Sequence, residues 1–178
     1  LPVGVVLTLA GTGSESSDSS VITRDGFKKN MGGDLIRPVF SILNPELTFT
    51  VPPYQTASGI VDMIAHVHER YWTNVPDNAI TDNLCESIIR TIIKYAPIVM
   101  QEPDNYEARA ALMWCGTIAH NNTCGVGRIP DLAVHLIQHP ISGNFGTAHG
   151  AGCGVITLGW MKYVYRHDMA RFVRYFTR

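Results

Sequence analysis

No two of the four cysteines, Cys85, Cys115, Cys124 and Cys153, form a CxxC pair, and they are scattered along the chain. That spacing excludes a disulfide framework and a thiolate zinc site, so each reads as a small core residue in a reducing, cytoplasmic setting. Long apolar runs are missing too: nothing approaches the roughly 20 residues of a bilayer-spanning helix. Charge of one sign is not in excess, with a formal net charge of -1 over 178 residues, which leaves no basic patch for nucleic acid. GxGxxG, the Walker lysine and HExxH are all absent. The dinucleotide fingerprint, the P-loop and the zincin motif therefore lose their sequence marks.

What is present is an ordinary globular composition, 46% hydrophobic and long enough for one sizeable core. Val3 to Leu9 reads as a buried strand, followed by the Gly-rich turn Ala10 to Glu15. Backbone amides there, with the hydroxyls of Thr8, Thr12 and Ser14, could hold a phosphate or polar ligand; a plain strand-to-loop turn explains the pattern more simply. Val21 to Thr23, a polar turn over Arg24 to Lys29, and then Val39 to Leu43 and Leu47 to Val51 read as short strands. Asn44-Pro45 marks a turn, Pro52-Pro53 ends the strand region, and a domain boundary is expected near residue 51.

Helical periodicity dominates after that point. Asn78 to Met100 and Tyr106 to His120 read as scaffold helices. In ASGIVDMIAHVHERYW, Asp62 and His66 lie four apart on one helix face, and His68 points elsewhere. A lone pair of this kind is ordinarily a local hydrogen-bond pair. The segment DLAVHLIQHPISGNFGTAHG changes that reading, because it places His135, His139 and His149 within one short stretch. His135 and His139 project from one face of a helix opened by Pro130 and Asp131; Pro140 is expected to limit that helix and push His139 towards extended geometry. Gly143, Gly146 and Gly150 then read as a turn returning His149 to the same face. His120 reads as a cation at a helix end with nothing pairing it to this cluster, and His167 as a surface residue.

A carboxylate with several neutral imidazoles suits zinc or iron(II), can expand to admit a substrate oxygen, and lacks the glutamate base of a metalloprotease. A Lewis acid gripping an alcohol or carbonyl oxygen is the chemistry that remains, and hydride transfer is a natural companion to it.

The runs PVGVVLTLAGTGSE, RPVFSILNPELTFTVPP, GIVDMIAHVHERYW, EPDNYEARAALMW, HLIQHPISGNFGTAHGAG and WMKYVY together resemble the iron-containing (group III) alcohol dehydrogenases. The nearest subgroup is the bacterial butanol dehydrogenase and broad-range aldehyde reductase type. The resemblance implies an α+β, dehydroquinate synthase-like fold. Residues 1–51 would be the tail of an α/β nucleotide-binding domain, and 52–178 a mostly α-helical metal-binding domain. It implies Fe2+ or Zn2+ held by Asp62, His66, His135 and His149, with His139 close by to tune the site or relay a proton. Thr8, Thr12 and Lys28 would line the nicotinamide-ribose part of an NAD(P)H site. A small alcohol or aldehyde substrate and a homodimer or higher homo-oligomer follow, with neither nucleic acid nor membrane as partner. A glycerol dehydrogenase-like or dehydroquinate synthase-like enzyme, or a non-catalytic metal-binding remnant, are the competing readings. The family is about twice this length, so the chain reads as an internal piece, expected to bind metal better than cofactor and to show little turnover alone.

Overall fold

Pro53 opens a helix that the other helices surround. The computed structural model describes residues 2–25, 27–76 and 78–178. In α1 (Pro53–Tyr71) the proline stands in the first turn, where its missing N–H has no intrahelical role, and Thr56 N–H closes that turn on Pro52 O at 2.9 Å. Ile60, Met63, Val67 and Tyr71 recur at helical spacing. They enter a core with Ile88, Ile89 and Ile92 of α2 (Ala79–Gln101) and Leu112 and Cys115 of α3 (Tyr106–His120). Asp62, Ala65, His66 and Glu69 share another face, and α4 (Ala133–Phe145) and α5 (His149–Val164) also pack on α1. The helix is therefore enclosed on most sides, and its ionisable residues are enclosed with it.

Capping sets the helix starts. The side chains of Asn78, Asn105 and Asp168 accept the backbone N–H of Thr81, Ala108 and Arg171 at the entries to α2, α3 and α6 (Met169–Thr177). Helix α6 is held to α2 by charge: Arg171 and Arg174 lie 3.1 and 3.3 Å from the Asp82 carboxylate, and Arg174 Nε donates to Glu86 at 2.5 Å. Glu86 also accepts the Tyr71 hydroxyl at 2.9 Å, and Phe172 stacks on Trp72 with ring centroids 4.1 Å apart. An aromatic pair of this kind adds about 0.5–1.5 kcal/mol beyond its buried area.

The strands are few and short. β1 (Gly4–Val6) pairs in parallel with β4 (Phe40–Ile42), and the antiparallel hairpin of β2 (Ser19–Arg24) and β3 (Phe27–Gly32) is inserted between them. The strand expected over Val3 to Leu9 shrinks to three residues. The turn expected over Arg24 to Lys29 is much tighter: Lys28 and Lys29 belong to β3, Arg24 pairs with Phe27, and Asp25 has φ 52°; Gly26 lies outside the described residues. Asp-Gly is a preferred sequence for two-residue hairpin connections, which is why the strands run so close to it.

Two other expectations are corrected. Leu47 to Val51 is no strand; Pro45–Thr48 forms a 3-10 turn, in which the Asn44 side chain accepts Glu46 N–H at 3.1 Å and the Thr48 hydroxyl donates to Pro45 O at 2.7 Å. Local bonds of this sort divert backbone from a ladder. Pro140 does not end its helix either. α4 runs on to Phe145, His139 stays helical, and the reversal comes at Gly146, whose φ of 63° caps the helix with N–H to Ser142 O at 3.0 Å. The residue whose carbonyl loses a partner to Pro140 is Leu136, which is exposed. Helices fill the chain from Pro53 onwards, and none among the described residues is long and apolar enough to cross a membrane.

Candidate metal centre

Glycine sets how closely α5 approaches. A Cβ on Gly150 would stand 1.9 Å from Ser58 O on α1, and one on Gly152 would stand 2.8 Å from the Gln138 side chain on α4. The first clash is with backbone and could not be relieved without parting the helices, and the second would displace the Gln138 side chain, so the small residues after His149 bring its first turn against both neighbours. The approach to α4 is tied to α1 as well, through Asp131 N–H donating to Glu69 O at 2.8 Å.

The result is a ring of donors around one carboxylate oxygen. Asp62 Oδ1 lies 3.4 Å from His135 Nε2, 3.4 Å from His149 Nε2 and 3.8 Å from His66 Nε2. Donors on a tetrahedral zinc-sized ion with bonds of about 2.0–2.3 Å sit roughly 3.3–3.8 Å apart. Asp62 Oδ1 and His135 Nε2 are buried, and at 3.4 Å they face each other in a long ion-pair contact without an aligned hydrogen bond. Polar atoms so enclosed are costly unless something pairs them, and a divalent cation would pair both. The donor set thus fits a metal by spacing, by chemistry and by the burial of its atoms. Cys153 joins the group: one donor atom each from Asp62, His135, His149 and Cys153 lie within 4.8 Å of one another.

Two of the rings are held from behind. Glu69 Oε1 accepts His135 N–H at 2.9 Å, and Glu69 Oε2 forms an ion pair with Nδ1 of the same residue. His149 Nδ1 bonds to Gln138 Oε1; an amide oxygen can only accept, so Nδ1 carries the proton and Nε2 presents a lone pair towards Asp62. His66 has no such support. Its Nδ1 is buried without a partner, and its ring lies between His120 and His135, with centroids 3.9 and 4.7 Å away. Arg70 donates to His66 O at 2.8 Å and lies 3.2 Å from His120 Nδ1.

Burial opposes ionisation throughout, and the carboxylates decide where it still occurs. It lowers His66 well below the usual imidazole range and takes His149 and His120 down to about 4, with the charges of His135 and Arg70 respectively acting in the same sense. His139 is lowered by burial and by the charges of His135 and Lys28. His135 is the exception. Burial acts against its charged form, but Asp62 and Glu69 on either side of the ring outweigh it and raise the group to about 9. Burial likewise disfavours the Asp62 carboxylate, and the surrounding imidazoles nevertheless hold it below the ordinary carboxylate range.

The structure therefore brings together Asp62, His66, His135 and His149. His139 stands at the margin, half-buried, with its ring 5.6 Å from that of His149 and 6.2 Å from that of His135. Thr8 and Thr12 are exposed, and Lys28 is half-buried on β3, which packs against α4. The Gly-rich turn is itself a packing joint, since a Cβ on Gly11 would meet Gly59 of α1 at 2.9 Å and one on Gly13 would meet His120 at 2.6 Å. His68 lies apart from this group, bonded to the Tyr175 hydroxyl at 2.6 Å. The isolation expected for His120 is corrected, because its ring lies against His66. Sequence reasoning also missed Glu69, Gln138 and Cys153. Helical spacing could have found all three: Glu69 is seven on from Asp62, Gln138 three on from His135, and Cys153 four on from His149.

The family described as Fe-containing alcohol dehydrogenase family, C-terminal, matches residues 56–176. The chain is 39% identical over 178 residues to NADH-dependent butanol dehydrogenase A of Clostridium acetobutylicum, covering 98% of this chain and 46% of that protein. It is 39% identical over 158 residues to the NADPH-dependent aldehyde reductase YqhD of Escherichia coli, covering 88% and 41%. The crystal structure of a Thermotoga maritima NADH-dependent butanol dehydrogenase A superposes with a TM-score of 0.94 at 41% identity, over 98% of this chain and 44% of that one. The chain spans about half the length of the curated relatives it matches. On the family match and on these identities, the chain belongs to the iron-containing alcohol dehydrogenase family.

Proposed function

We propose that this chain is the metal-holding part of an NAD(P)H-dependent alcohol dehydrogenase or aldehyde reductase. One observation carries the reading: three imidazole Nε2 atoms stand 3.4–3.8 Å from a single buried carboxylate oxygen that makes no aligned hydrogen bond. Similar proteins named as NADH-dependent butanol dehydrogenase and NADPH-dependent aldehyde reductase support the substrate class, a primary alcohol or its aldehyde. Asp62, His66, His135 and His149 would hold Fe2+ or Zn2+. The chemistry such a cation supplies is Lewis acidity towards an alcohol or carbonyl oxygen, with hydride exchange belonging to the nicotinamide.

The chain's own residues prepare that chemistry. Glu69 and Gln138 orient His135 and His149 so that little reorganisation is needed when charge develops at the substrate oxygen. His139, half-buried and favoured in its neutral form, is placed to take or return a proton at a ring nitrogen. The charge of Lys28 acts on His139 and His149 from the strand side, which is where we place the cofactor, together with Thr8 and Thr12. Residues 1–51 then belong to the nucleotide-binding side and 52–178 to the metal side.

Elemental analysis of the chain purified without added metal, beside an Asp62→Ala/His149→Ala double variant, tests this. About one iron or zinc per chain, lost in the variant, is the expected result. A parent that takes up no metal even when it is supplied would overturn the reading.

A further inference from the structure

A groove of about 880 Å³ lies between the end of α1, the stretch before α4, the last turns of α5 and the start of α6, and none of its lining side chains is a donor of the metal centre. That volume suits a small organic molecule. The walls are largely aromatic: Trp72, which is stacked on Phe172, the half-buried Trp160, and Tyr163, which is 88% exposed. Trp72 is 6% exposed, and its Nε1 is buried with no hydrogen-bond partner. Two carboxylates share the groove. Asp131 and Asp168 each use one oxygen at a helix start, Oδ1 accepting the N–H of Ala133 at 2.9 Å and of Arg171 at 3.1 Å respectively. Neither enters an ion pair among the described residues. Arg171 is the only lysine or arginine lining the groove among the described residues, and its guanidinium is already engaged, 3.1 Å from Asp82 and 4.7 Å over the Tyr71 ring. The charge left over in the groove is therefore negative.

We propose that this groove is a binding site for an aromatic ammonium ion that carries a polar oxygen. The chemistry of the walls selects each part of that ligand. A cation is attracted to the faces of Trp160 and Tyr163 by the ring quadrupole, and the remaining oxygens of Asp131 and Asp168 attract it too. Those same carboxylates repel anions from the groove. The apolar body of the ligand covers aromatic surface that water now meets, and its oxygen supplies the acceptor that the Trp72 N–H lacks. A neutral apolar molecule would leave both carboxylates unanswered, and an inorganic cation would leave the aromatic walls unused. The ligand binds without any bond being made or broken. This inference does not rest on the metal-centre reading, because the two sites share no side chain.

Tyramine is the probe, beside 4-ethylphenol, which keeps the ring, the oxygen and the carbon skeleton but lacks the ammonium group, and phenethylamine, which lacks the oxygen. The metal-free chain is titrated by calorimetry and by NMR of the indole N–H groups. Trp72 and Trp160 line the groove and Trp114 on α3 does not, so the three tryptophans report where the probe sits. The expected result is saturable one-to-one binding of tyramine that shifts the signals of Trp72 and Trp160 and leaves that of Trp114 in place. 4-Ethylphenol should bind about tenfold more weakly. Asp131→Asn/Asp168→Asn keeps an acceptor at both helix starts while removing both charges, and it should also weaken tyramine binding about tenfold. No saturable binding of tyramine, equal binding of 4-ethylphenol, a shift at Trp114 in place of the other two, or an unchanged affinity in the folded double variant each overturns the proposal. Phenethylamine binding as tightly as tyramine overturns the contact assigned to Trp72. If circular dichroism shows the double variant unfolded, tyramine against 4-ethylphenol on the parent decides. Each of these outcomes leaves the metal centre standing.

Discussion

Glu69 holds His135 at two points, taking its backbone N–H at 2.9 Å on one carboxylate oxygen and facing its ring Nδ1 with the other. One side chain of α1 therefore fixes both where α4 starts and which nitrogen of His135 is turned towards Asp62. Replacing Glu69 with Gln keeps an acceptor but removes the charge behind the ring. Metal affinity should fall about 10–100-fold, the usual effect of losing such a support, with helix content unchanged. Glu69→Ala should lose the backbone bond as well and cost a further 1–3 kcal/mol, on the order expected for an unsatisfied buried donor. Chelator competition and urea unfolding separate the two effects.

Gln138 makes a cleaner separation of orientation from stability. Its Oε1 accepts from His149, but its Nε2 is buried without a partner, so the amide is only half used. Gln138→Leu keeps the volume and removes that unpaired group, and the unfolding midpoint of the metal-free chain should hardly move. Metal affinity should nevertheless fall by about tenfold, because His149 loses the bond that sets its tautomer. An affinity unchanged in this variant would show that packing alone orients the ring.

At Gly150 the obstacle is backbone. A methyl group there would stand 1.9 Å from Ser58 O, so Gly150→Ala must push α5 away from α1. The expected cost is about 1–3 kcal/mol or more, with a lower melting temperature and reduced metal uptake, since His149 begins the displaced helix. A stable variant with full metal content would show that the helices are free to slide.

Acid should unfold the metal-free chain in a way that His68 can report. Burial takes its folded-state value down to about 4, whereas the unfolded chain titrates near 6.5. Between those values the unfolded state binds more protons, so stability falls as pH drops through the window, by about 3 kcal/mol in all for this group. His120, also lowered to about 4, adds in the same direction. On the alkaline side His135, raised to about 9, works the other way: its contribution is complete below about 6.5 and disappears as pH rises to about 9. Urea unfolding in chelator should therefore show greatest stability near pH 6.5, roughly the shared unfolded-state value, and His68→Gln should make the acid limb shallower, with His66, His120 and His149 still acting there, and leave the alkaline limb unchanged.

The candidate donor residues and most helices were legible in the chain because they rest on local periodicity. Asp62 and His66, and likewise His135 and His139, must share faces wherever a helix forms. Pro140 was misread because a proline's cost depends on its surroundings, here an exposed turn that tolerates one lost backbone bond. Leu47 to Val51 was misread because side chains of Asn44 and Thr48 captured backbone that apolar pattern alone assigns to a strand. Tertiary structure alone decided which histidines meet. His120 comes against His66 from α3, a different helix, while His139, though nearer in sequence to the cluster, stays at its edge. It also decided that Glu69, Gln138 and Cys153 belong to the site, since that follows from how closely α1, α4 and α5 pack. Local sequence sets the direction in which a side chain leaves its helix; the distance between helices, set here by Gly150 and Gly152, determines what it reaches.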